Sequence, residues 1–252
     1  MRILSILLVA ICGLTAAIAD DVIVYTCYQY FNSRVYIMDM NGTVLDWFEY
    51  NNYRLCDLEL VNDEVHVVDA FAPRSFILDL ETGDLQLIID DWSLFYFYDI
   101  AYDGSFLYVT EWDMNRYMPD GTKDSSTGYD GTILGSTFCY DRLYTLTEDT
   151  LIQCWDISGW PTMVLDEPGT ITPPTEYCRG LSFDGENFWT AESKEGQLGS
   201  IICFDQTGAV ITQIAEPAFQ GWSACIAPFT PQHLHRHTWT AIKSICGEPI
   251  SN

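Results

Sequence analysis

Four acidic residues stand at one recurring place in this 252-residue chain. Asp69 closes EVHVVD, Glu111 closes SFLYVTE, Glu148 closes RLYTLTE and Glu192 closes ENFWTAE, at spacings of 42, 37 and 44 residues. Carboxylates gathered by a repeat can hold a hard cation through oxygen ligands, and calcium is the ion such a set favours. They can also receive an amine or cationic group, or act as general acid and base. A glycosidase would need two of them about 5 to 9.5 Å apart, although no glycosidase motif accompanies them. The plainer alternatives are that they cap turns, pair with Arg54 or Arg179, or face water.

The elements that carry these acids recur with them. Each acid ends a short strand rich in β-branched and aromatic residues. A second strand follows and runs into an Asp-to-Gly turn: DMNG at 39–42, DLETG at 79–83, DISG at 156–159 and DQTG at 205–208. A period of roughly 40 to 45 residues with several short strands is the signature of a propeller blade. The fifth repeat resolves into CRGLSF, NFWTAE, GSIICFD and AVITQIA; the second into LCDLELV, EVHVVD, SFILDL and LQLIID. The third repeat departs from this, because KDSSTGYDG after Gly121 lacks apolar alternation and reads as a polar surface loop. Ser125 and Gly131 stand where a calcium loop needs Gly and Glu, so that stretch fails the EF-hand template.

The two ends are complementary. DVIVYT, RVYIMD and VLDWF supply the second, third and fourth strands of a blade that lacks its first, and GWSACIAP supplies a first strand with no continuation. Joining them closes an all-β ring of five four-stranded antiparallel blades over residues 20–232, with about 43 residues per blade. Antiparallel order then places the ends of the second strands and the entries to the first strands at one end of the ring. That rim is expected to gather Asp69, Glu111, Glu148 and Glu192 with Arg54, Tyr98, Arg179 and Trp222 as a ligand site near the axis, with a calcium ion there as one option.

Bulk composition narrows the partners. The formal net charge is −25, which repels nucleic acid and anionic membranes and favours cationic, peptide or glycan ligands. Residues 1–19 (MRILSILLVAICGLTAAIA) read as a secretory leader with a small-residue cleavage site. Cutting there makes the charge one unit more negative and predicts an exported protein. No later apolar run reaches the roughly 20 residues of a membrane span. Cys27, Cys56, Cys139, Cys154, Cys178, Cys203, Cys225 and Cys246 remain, an even set that suggests disulfides in an exported chain. Most sit in apolar strands, where free thiols also pack well. Cys154 and Cys203 occupy equivalent places in neighbouring repeats and are not expected to pair. HLHRH, from His233 to His237, lies in a C-terminal tail, 233–252, where Cys246 is the one obvious extra zinc ligand and a solvated tail is the plainer reading.

The stretch RGLSFDGENFWTAESKEGQLGSIICFDQTGAV, 179–210, resembles exported bacterial propellers of the YVTN and quinoprotein-like kind. It is also similar to glutaminyl-peptide cyclotransferases of the plant and bacterial type through Gly180-Leu181, Glu192-Ser193, Gly199-Ser200, Asp205, Thr207-Gly208 and Val210. That second resemblance covers about one blade and implies Glu192 as an acid/base residue. Two functions follow: a binding or scaffold module using the acidic, aromatic rim, or a cyclotransferase-like enzyme using Glu192.

Overall fold

The computed structural model describes residues 21–229 apart from 30, 111, 130, 194–198, 217–221, 226, 227 and the side chains at 222, 223 and 225. The expected leader, the tail with its histidines, and Glu111 lie outside the described residues. Five four-stranded antiparallel sheets form the ring. The chain enters with β1 (Val22–Gln29), β2 (Asn32–Asp39) and β3 (Val44–Asn51). The second blade holds β4 (Leu55–Val61), β5 (Glu64–Asp69), β6 (Arg74–Leu78) and β7 (Leu85–Asp90). The third holds β8 (Asp99–Tyr102), β9 (Leu107–Thr110), β10 (Asp113–Tyr117) and β11 (Lys123–Gly128). The fourth holds β12 (Ile133–Cys139), β13 (Arg142–Thr147), β14 (Ile152–Asp156) and β15 (Val164–Leu165); the fifth holds β16 (Cys178–Phe183), β17 (Phe188–Glu192), β18 (Ser200–Phe204) and β19 (Val210–Ala215). Finally β20 (Trp222–Cys225) pairs with β1 and closes the ring, with Tyr28 opposite Trp222 and Tyr25 opposite Cys225. This is the joining of ends that the sequence predicts.

Strand composition follows position in the blade. Inner strands lie between neighbouring blades and are covered on both faces, so β1 and β4 read as nearly continuous buried runs. Outermost strands face water, and β19 has a single buried residue. The core is divided into layers between adjacent blades. Val24, Val35, Leu58 and Phe76 pack between the first and second blades. Val68, Ile89, Ile100 and Val109 pack between the second and third, and Leu146, Phe188 and Phe204 between the fourth and fifth. Ile23 and Met38 meet Trp189 and Ile201 where the ring closes.

The turns between third and fourth strands use the expected chemistry. Asp39 Oδ1 accepts the amides of Asn41 at 2.9 Å and Thr43 at 2.8 Å, and Gly42 takes φ +81°. Asp205 repeats the arrangement with Thr207 and Ala209. These aspartates are occupied by their own turns.

Two expectations change. The KDSSTG segment is not a loop but β11, paired with β10 through a register shift at Arg116/Tyr117. An outermost strand needs only a backbone ladder, and Asp124 adds a bond from Arg116 Nη2 at 2.6 Å, so apolar alternation was not required. The disulfides are also absent among the described cysteines. Cys27, Cys56, Cys139, Cys154, Cys178 and Cys203 are buried free thiols. Burial pushes Cys27 and Cys203 up to about 12 and Cys139 and Cys178 up to about 11, which keeps them protonated at neutral pH.

Closure by β20 leads to a test. Deleting the chain from residue 221 onward removes that strand and bares the inner edge of β1. The truncated protein is expected to lose its cooperative melting transition by calorimetry; a transition as sharp as the parent's would contradict this role for β20.

Candidate binding site at one end of the ring axis

Strand register places the site. Leu55 lies opposite Asp69, Asp99 opposite Thr110, Ile133 opposite Thr147, and Cys178 opposite Glu192. The second strands therefore end where the first strands begin, at one end of the ring. The acids expected to gather there are held separately. Asp69 is buried, and its Oδ1 accepts the amides of Arg54 and Phe71, each at 2.9 Å. Burial raises its pKa while those amides oppose the rise. Glu148 is exposed one residue beyond β13, and its charge acts on the Arg179 guanidinium. Glu192 is half-buried and accepts the Thr175 hydroxyl at 3.2 Å. Among the described residues, no three His, Cys, Asp or Glu side chains form a group able to hold a metal.

What gathers instead is a set of arginines and tyrosines. The Tyr28 phenol, near the end of β1 that reaches the site, has its pKa raised chiefly by desolvation and next by the Cys56 thiol, while Arg54 and Arg179 pull the other way and Tyr98 adds to the rise. Arg54 lies over Phe31, 4.8 Å from the ring centroid, and over Phe71 at 5.6 Å. Those two rings meet edge to face at 5.1 Å. Tyr98 stacks on Tyr96 at 5.8 Å. Arg179 donates from Nη1 to the Cys178 carbonyl at 2.7 Å, and desolvation lowers its pKa against the charges of Cys178, Glu148 and Tyr28. Of the expected site residues, Arg54, Tyr98 and Arg179 thus converge. Trp222 begins β20 opposite Tyr28.

The loops at this end carry exposed aromatic side chains. Phe31, Phe71 and Trp112 follow second strands, while Trp92, Phe95 and Tyr96 lie on the segment crossing from β7 to β8. Phe95 is 73% exposed, Trp92 66% and Trp112 65%.

Beneath this mouth lies a feature that the sequence reading missed. Asp57 and Asp99 are buried on neighbouring innermost strands. Asp57 Oδ2 accepts the Ile100 amide at 3.1 Å, Asp99 Oδ1 accepts the Ser136 amide at 2.6 Å, and the Ser136 hydroxyl donates to Asp99 Oδ2. The two carboxyls also act on each other. Desolvation, then the charge of Asp99, drives Asp57 far above the ordinary carboxylate range. Asp99 is raised less, because its bonds from Asp57 and Ser136 offset its desolvation. One proton shared by two buried acids is the arrangement that like charges at close range enforce. Across the axis, a Cβ placed on Gly180 would stand 3.0 Å from Asp57 Oδ1 and 2.6 Å from Ala224 Cβ. The available signal was an aspartate inside a largely apolar first strand, in LCDLELV and again in YDIAY.

No family model matches the chain, and no curated protein does. Among solved structures it is similar to a glutaminyl cyclase of Myxococcus xanthus, with TM-score 0.54 and 16% identity over 66% of this chain and 72% of that one. It is also similar to a chain of a nidogen/laminin complex, with TM-score 0.55 and 14% identity over 81% of this chain and 97% of that one. Likeness at these identities establishes the propeller fold. The cyclotransferase resemblance holds at that level, and neither structure singles out the YVTN or quinoprotein-like group.

The axial pair sets a pH dependence with a definite sign. Asp57 titrates higher folded than unfolded, so its proton stabilises the fold fully below about pH 4, the ordinary aspartate value. That contribution is lost as pH rises toward and through the folded-state value. Buried Glu59, pushed up to about 8 chiefly by desolvation, adds in the same direction. Asp57→Asn keeps a donor toward Asp99 and cannot ionise. Its urea midpoint is expected to fall less steeply between pH 5 and 9, by up to one proton or about 1.4 kcal/mol per pH unit. A slope equal to the parent's would place the shared proton elsewhere.

Proposed function

We propose that the protein is an exported binding module that receives a polypeptide partner at the aromatic end of its axis. The observation that carries this reading is the concentration of exposed Phe, Tyr and Trp side chains on loops around the Arg54–Arg179–Tyr28–Tyr98 mouth. Water-exposed apolar surface is kept where it is used, and aromatic residues with arginine are the side chains enriched in interface centres. Propellers suit such work because a closed ring exposes little strand edge and leaves its end loops to vary. The expected acidic rim takes a modified form in this reading: Glu148 and Glu192 stand on the wall of a mouth whose centre is aromatic and guanidinium-bearing. Export rests on residues 1–19 as a cleavable leader.

The test is selection of binders from a displayed peptide library on the immobilised protein, followed by titration of one selected peptide. Phe71→Ser with Trp112→Ser is expected to weaken that peptide at least tenfold while the melting temperature stays within a few degrees. Undiminished binding by the double variant would remove the aromatic face as the site.

A second reading has one observation of its own. Glu192 reaches the same end on β17 with its carboxylate bonded to Thr175, where the resemblance to cyclotransferases implies an acid/base residue. On that reading the protein releases ammonia from a peptide beginning with Gln, and Glu192→Gln lowers the rate by about 10²–10⁴-fold. A coupled ammonia assay that shows no turnover by the parent across pH 5 to 9 would eliminate the enzyme.

A further inference from the structure

We infer that the end of the ring opposite the mouth docks a basic polypeptide segment, with an arginine or lysine side chain seated on the paired rings of Tyr140 and Phe183. This surface is separate from the aromatic mouth and does not depend on that reading. Register places it. Val61 lies opposite Glu64, Tyr102 opposite Leu107, Cys139 opposite Arg142 and Phe183 opposite Phe188, so the hairpins joining first to second strands all turn back at the far end. Tyr140 occupies the turn of the fourth blade and is 78% exposed, more than any other large hydrophobic side chain described. Its ring meets Phe183 of the fifth blade edge to face at 5.8 Å. Phe183 is half-buried, rests on Phe188 at 5.1 Å and packs on the layer between the two blades. The outer ring therefore stands on a fixed base.

The turn gives Tyr140 no internal reason to be tyrosine. It has φ +57° as the first of two turn residues, a conformation in which Asn or Gly carries less strain. The hairpin of the second blade has Asn62 at that place, with φ +50°. A large ring held in a costly turn and facing water marks a contact made with something else. Charge decides what that is. The four hairpins carry Asp63, Glu64, Asp103, Asp141, Asp184 and Glu186, and their one cation, Arg142, is already paired with Asp156 at 2.9 Å. Asp103 and Asp184 are spent on amides of their own turns and act on a partner through charge. Such a face draws in a basic partner and rejects an acidic one. The seat itself has two precedents within the chain. Arg34 lies over Trp47 at 5.2 Å and pairs with Glu49 at 3.4 Å. Arg74 lies over Trp92 at 5.0 Å and pairs with Asp90 at 3.3 Å. In both, a ring and a carboxylate together hold a guanidinium. Tyr140 is followed directly by Asp141, and among the described residues no cation lies over Tyr140 or Phe183. The partner supplies the cation here.

Titration calorimetry on the full chain tests this with two acetylated, amidated peptides. One has four arginines spaced by glycine, and the other has the neutral isostere citrulline in place of each arginine. The arginine peptide is expected to bind about tenfold more tightly or better at low salt, and to lose most of that advantage as salt is raised. Tyr140→Asn should weaken it about two- to fivefold, while the melting temperature holds or rises because the turn is relieved. Tyr140→Phe keeps the ring and should bind like the parent. Asp141→Asn with Glu186→Gln should cost a similar factor. Equal binding of the two peptides would overturn the inference, as would an arginine preference that survives Tyr140→Asn undiminished. A lower melting temperature in Tyr140→Asn would make the ring a packing residue and sink the seat as well. The mouth is judged separately. Binding lost in Phe71→Ser/Trp112→Ser but kept in Tyr140→Asn would put the peptide at the mouth and overturn this surface; the reverse pattern supports this surface whatever the mouth receives.

Discussion

Innermost strands in a ring have a backbone problem on their axial side, where no further strand completes the ladder and water is excluded. A buried amide left there without a partner costs about as much as a lost hydrogen bond. Asp57 and Asp99 answer this by reaching from one blade to the next: the carboxyl of the second blade takes an amide of the third, and the carboxyl of the third takes an amide of the fourth. Two adjacent buried charges would cost several kcal/mol each, so the pair keeps one proton. The junction between the first and second blades uses a hydroxyl instead: Thr26 donates to the Leu55 carbonyl at 3.0 Å.

The mouth inherits its geometry from that layer. Tyr98 immediately precedes Asp99, Arg179 immediately precedes Gly180, and Arg54 stands three residues before Asp57. Side chains so close in sequence to pinned backbone have little freedom in where they start. The aromatic loops lie farther from the pins and supply area instead of precision.

Architecture was legible in the sequence because it is written in repetition. The recurrent strands, the Asp-to-Gly turns and the unmatched strands at either end specify the ring and its closure without reference to any particular contact. β11 escaped because an outermost strand can be polar on both faces and still pair. The site was only partly legible. Position along a strand shows which end of the ring a residue reaches, and it did so for Arg54, Tyr98 and Arg179. It does not show what a carboxylate will bond to once there. Asp69 went to backbone amides, while Asp57, the most strongly perturbed of the acids, and its partner Asp99 were inside strands whose burial only the assembled ring reveals. The thiols illustrate the same limit: an even count suggested bridges, and at the six described positions packing decided for buried free cysteines.

The glycines of the axis have one more consequence. A Cβ on Gly135 would fall 2.6 Å from Gly180 Cα, and one on Gly180 would press on Ala224 and Asp57, so the centre of the ring is filled by backbone. A propeller with an open bore can pass an ion or a chain from one side to the other. At this axis backbone stands where an open bore would run, so whatever enters the mouth must leave by the way it came.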